Sequence, residues 1–147
     1  MKFSFPLESL FQLRIQLEEQ KQLEYGQVMQ KWQQAKEQKQ QLEQKQQWIF
    51  QQWRKKIQGK DALLSSREYG LYLKSLQKEI KNAEGRCIEL ECKVEIKRKE
   101  LLEAVKQRKM MESLKNKALE NFRKEEQRKE QQIIDELVTF RYYNRQT

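Results

Sequence analysis

From Leu73 onward, apolar residues return at alternating intervals of three and four. Leu73, Leu76, Ile80, Ala83, Cys87, Leu90, Val94, Leu101, Ala104, Met111, Ala118 and Phe122 keep the register, while Lys97, Arg108 and Lys115 interrupt it. A spacing that averages three and a half residues holds one stripe of a helix against a neighbouring helix along its whole length. Such a stripe, sustained from 73 to 122, specifies a long helix that needs a partner. A disordered chain has no use for one, which decides against disorder even though charged residues make up 36% of the sequence.

The partner is present in the same chain. Val28, Trp32, Ala35, Lys39, Leu42, Gln46, Ile49 and Trp53 repeat the spacing, with six of the eight apolar. Between Lys36 and Gln47 the run "KEQKQQLEQKQQ" offers Leu42 alone, so this segment would fray in isolation. The only proline, Pro6, suits a first helical turn, and four glycines leave few places to reverse direction. Gly59 has the residue type that ends helices, and Ser65 with Glu68 forms a capping-box pattern. The expected fold is all-α: two long helices in one antiparallel coiled-coil hairpin over 1–147. Its parts are helix one over about 5–58, a turn at 59–65, helix two over about 66–140 and a flexible tail at 141–147. A turn centred near residue 62 sets Ile49 opposite Leu76 and Ala35 opposite Leu90.

Both ends of such a hairpin carry apolar residues. Helix two outruns helix one, leaving Ile133, Ile134, Leu137 and Val138 without cover. Three outcomes are open there: a partner covers the strip, Phe3 and Phe5 fold back over it, or the stretch frays. At the turn, Leu63, Leu64 and Tyr69 are expected to pack on Trp53 and Ile57 and plug the hairpin. Tyr72 falls on the flank of the seam with nothing to fill, which marks it as a docking residue.

The same sequence excludes other classes. It has no histidine, no glycine-rich phosphate loop and no nucleophile set, and a two-helix hairpin has no concave pocket, so no catalytic residue, metal or cofactor is expected. Cys87 and Cys92 point roughly 140° apart on a helix and read as reduced thiols of a cytosolic chain. Glu8 interrupts any signal-peptide run, and no segment is long and apolar enough to span a bilayer. The formal charge of +9 makes nucleic acid a candidate partner. Acids are interleaved with the bases, however, as in "EIKRKELLEAVKQRK", which favours a solvated, salt-bridged face. A nucleic-acid-binding coiled coil and a scaffold that self-associates in parallel through helix two are the alternatives to a monomeric hairpin.

The chain resembles the FliJ family of flagellar export proteins and their counterparts in virulence secretion. The resemblance lies in "FPLESLFQLRIQLEE", with Leu10, Leu13 and Arg14 in an "L..LR" pattern, in "YGLYLKSLQKEI", in the basic heptads that follow, and in "IIDELV". It implies a cytosolic stalk similar to the gamma stalk of rotary ATPases, peripheral to the inner face of the membrane through its partners. Those partners would be a hexameric export ATPase, the export gate membrane protein and export chaperones. Leu10, Leu13, Arg14, Asp135 and Glu136 would serve the ATPase end, and Tyr72 and Leu76 the gate end, where Glu79 departs from the small residue expected. Excess positive charge would guide the terminal end into an acidic pore.

Overall fold

The computed structural model describes residues 2–56 and 62–146. It consists of two helices, α1 (Glu8–Lys56) and α2 (Ala62–Gln146), packed against each other as an all-α helical hairpin, with no strand among the described residues. Pro6 and Leu7 form a turn that leads into α1, where the Glu8 amide donates to the Phe5 carbonyl at 3.1 Å. The helix thus starts just after the proline, whose missing N–H costs nothing there.

Two boundaries differ from the sequence reading. α2 begins at Ala62, so Ser65 lies inside the helix and does not cap it. Ala62, Leu63 and Leu64 are strong helix formers, and they carry the helix upstream of the serine pair. At the other end α2 continues to Gln146, through most of the expected tail. Ile57 and Gly59 lie outside the described residues, as do the side chains of Leu63 and Leu64, and with them the expected plug of the turn.

Two compact units divide the chain: Gln20–Leu101, and Met1–Glu19 with Leu102–Thr147. Within the first, Ile49, Leu73 and Leu76 form a buried cluster that Leu42, Trp53, Tyr69 and Ile80 flank. Ile49 and Leu76 therefore meet as the register requires. Leu42 packs against this cluster, and α1 runs unbroken through its Gln-rich stretch, where Gln, Lys and Glu favour the helix locally and the one apolar side chain ties it to α2. Trp53 Nε1 donates to Ser66 Oγ at 3.2 Å, Lys39 pairs with Glu84 at 3.4 Å, and Lys97 with Glu24 at 3.2 Å. In the second unit Arg108 pairs with Glu18, Lys115 with Glu8 at 2.9 Å, and the Phe3 ring lies 5.4 Å from that of Phe122. As numbers fall along α1 they rise along α2, which is the antiparallel sense.

Every seam position from Leu73 to Phe122, and every one from Val28 to Trp53, is buried or half-buried. The three cations that break the apolar pattern each find an acid on α1. Lys97 sits between Glu24 and Glu100, Arg108 meets Glu18, and Lys115 meets Glu8. Lys21 closes the first group by pairing with Glu100 at 3.2 Å. Hydrogen bonding from Lys97 holds the Glu24 and Glu100 carboxyls below the usual range, and Glu24 in turn raises the Lys97 ammonium. Lys115 does the same for Glu8. Interruptions in the sequence are thus ionic rungs in the structure.

Candidate partner-binding surfaces

Beyond Phe122, α2 is exposed throughout except for half-buried Glu126. Phe3 does fold back, but onto Phe122, and the strip beyond it stays open. At 100° per residue Ile133, Leu137 and Phe140 fall along one side of the helix, and Ile134, Val138 and Tyr142 extend that side to about half the circumference. Each of these six is more than half exposed. Asp135 and Glu136 border the strip. The Asp135 carboxylate accepts from Gln131 at 3.1 Å and its carbonyl accepts from the Thr139 hydroxyl at 2.8 Å, contacts that hold its own helix. Phe140 and Tyr142 were missed in the sequence, although the spacing of Ile133 and Leu137, carried one step further, points to Phe140.

The remaining residues expected at this end sit elsewhere in the same unit. Leu13 is exposed and Leu10 nearly half so, while Arg14 turns into the seam and donates to Gln107 Oε1 at 2.5 Å. Asp135 lies thirteen residues past Phe122, or about 20 Å along α2. Leu10, Leu13 and Arg14 are therefore level with the paired part of α2, and the structure does not bring them together with Asp135 and Glu136.

A second surface belongs to the other unit. Lys45, Trp48, Ile49 and Lys56 of α1 and Glu68, Tyr69 and Tyr72 of α2 line an open groove of about 390 Å³. Trp48 and Tyr72 are 59% and 45% exposed, so their rings are available from solvent. The Lys45 and Lys56 ammonium groups stand 5.6 and 5.5 Å from the ring centres of Tyr72 and Tyr69. Hydrogen bonding to Tyr72, with a smaller contribution from the charge of Glu79, holds Lys45 above the ordinary lysine range. Leu76 is only 3% exposed and serves the cluster beneath, so it supports this surface without forming it. Trp48 carried no signal in the sequence because it stands one residue off the seam position filled by Ile49.

Charge divides unevenly between the units. Residues 20–101 hold 18 bases and 11 acids, or +7, and the remainder hold 13 bases and 11 acids, or +2. The unit that holds both terminal segments thus carries the smaller share of the positive charge.

Among the described residues no helix is long and apolar enough to cross a membrane, and no group of three potential metal ligands converges. The described residues define an all-α helical hairpin with an apolar strip and an aromatic groove open to solvent. The chain belongs to the FliJ family: the family of the flagellar FliJ protein matches residues 2–147, essentially its whole length. Comparison with curated proteins and with solved structures gave no match. Membership makes the chain a component of flagellar or type III protein export.

Proposed function

We propose that this chain is a non-enzymatic central stalk of the export apparatus, cytoplasmic and membrane-peripheral through its partners. Its 123–146 stretch, with Leu10, Leu13 and Arg14 lower on the same unit, enters the hexameric export ATPase, and Asp135 and Glu136 flank the strip that is gripped. The surface around Tyr72, supported by Leu76, meets the export gate, and the chain escorts export chaperones. The observation that carries this reading is the uncovered strip of Ile133, Ile134, Leu137, Val138, Phe140 and Tyr142. An apolar face of that extent calls for a covering partner.

The test mixes the full chain with the export ATPase and follows hexamer formation by sedimentation alongside ATP turnover. Both should rise with the wild-type chain. Leu137→Asp should abolish the rise while leaving the helical signal intact, because the side chain is 55% exposed. Hexamer content and turnover that ignore the wild-type chain would refute the stalk.

A further inference from the structure

We propose that the groove of Trp48, Tyr69 and Tyr72 binds an acidic segment of a partner through a bulky apolar side chain, with Lys45 and Trp48 of α1 setting the specificity. This inference rests on the gate-end reading above and adds to it a chemical class of ligand and a contribution from α1.

Charge complementarity carries the assignment of an acidic occupant. Residues 45–56 hold four bases and no acid, and 66–81 hold four bases and two acids, so these stretches carry +6 of the chain's formal +9. No other end of the molecule is comparable: residues 123–146 hold six bases and five acids. Lys45 and Lys56 line the groove itself against one lining acid, Glu68, and the surplus of bases on the two stretches that form it attracts an acidic partner and orients its approach.

The aromatic residues carry the assignment of a bulky side chain. Ile49 forms an apolar floor and Trp48 and Tyr72 stand exposed above it, a combination that rewards insertion of a phenyl or branched aliphatic group. Lys45 and Lys56 already face Tyr72 and Tyr69 and are positioned to receive carboxylates on either side of the inserted group. Glu68 lines the same groove and Glu79 acts on Lys45. Two acids beside the bases suit a segment whose charges are spaced by side chains, and they oppose a polyanion with a phosphate at every step.

The experiment uses the full chain and fluorescence anisotropy of labelled probes: a short peptide bearing several Glu residues around one Phe, the same peptide with Gln for Glu, and a single-stranded oligonucleotide. The Glu peptide should bind, and the Gln peptide should bind at least about tenfold more weakly. Lys45→Glu and Trp48→Ala should each weaken the Glu peptide by about tenfold or more. Lys93→Glu, which makes the same charge change at a site away from the groove, should have little effect. All three side chains are exposed, so the helical signal should be unchanged. A Glu peptide that does not bind, equal binding of the Gln peptide, Lys45→Glu indistinguishable from Lys93→Glu, or preference for the oligonucleotide would each overturn the proposal.

A parallel titration with the cytosolic portion of the export gate separates the two readings. Gate binding lost in Tyr72→Ala but kept in Lys45→Glu and Trp48→Ala would sink the groove and leave the gate contact standing. Peptide binding that depends on Lys45, with no gate binding by the wild-type chain, would sink the gate contact and leave the groove.

Discussion

Leu76→Ala separates residues that fold the hairpin from residues that bind at its surface. Leu76 is the most buried side chain of the cluster it shares with Ile49 and Leu73, at 3% exposure. The change removes three carbons, and at about 0.8 kcal/mol for each buried CH₂ the transfer loss is about 2.4 kcal/mol. A cavity would add to that in a closed core, but a seam between two helices is open at its sides and can collapse, so the total should stay near the low end of the usual 2–5 kcal/mol. Urea unfolding followed by the helical circular-dichroism signal should therefore show a loss of about 2–3 kcal/mol. Tyr72→Ala, at a side chain 45% exposed, should change stability by no more than about 0.5 kcal/mol in the same assay. A loss below about 1 kcal/mol for Leu76→Ala, or an equal loss for Tyr72→Ala, would show that the cluster is not what holds this end together. The comparison also decides how binding defects are read, since a weakened partner in Leu76→Ala would act through the fold and in Tyr72→Ala through direct contact.

Stability should also depend on pH through the ionic rungs. Glu8, Glu24 and Glu100 have carboxyls depressed from an ordinary value of 4.5 by hydrogen bonds from Lys115 and Lys97. Their contribution is full above that ordinary value and is lost as pH falls through the depressed folded values. Lys97, raised from 10.5 by Glu24 and Glu100, contributes fully below that ordinary value and loses its effect as pH rises through the raised one. The urea midpoint should thus be flat through neutrality and fall in acid; a midpoint unchanged down to about pH 3 would show the rungs to be inert. Gly85→Ala should raise stability by about 0.5–1 kcal/mol, because Gly85 is helical and an added Cβ would meet nothing within 4 Å. A lower midpoint in that variant would contradict the open space around it.

The hairpin was legible in the sequence because a seam leaves a trace at every turn, and each position assigned to it between Val28 and Trp53 and between Leu73 and Phe122 is withdrawn from solvent. Cap chemistry was less informative. A serine and a glutamate at the right spacing form a cap only where the helix happens to begin, and Ala62 to Leu64 moved that point upstream. The partner surfaces were legible in part. The strip from Ile133 to Val138 follows from the unequal lengths of the helices, whereas the groove depends on Trp48 and Lys45 meeting Tyr72 across the seam, and pairs on different helices share no local pattern. Arg14 shows what the sequence does not carry: the resemblance places it at a partner end, while the bond that one of its N–H groups makes to Gln107 across the seam has no local signature.

The ionic rungs bear on which helix can lie against α2. Were two copies of α2 to align in parallel and in register, Lys97 would oppose Lys97, Arg108 would oppose Arg108, and Lys115 would oppose Lys115, each losing the α1 glutamate it meets within a single chain, although Lys97 would keep Glu100 and Arg108 would keep Glu112 on α2 itself. Repulsion at three levels would oppose that parallel pairing, one of the arrangements a heptad seam otherwise allows.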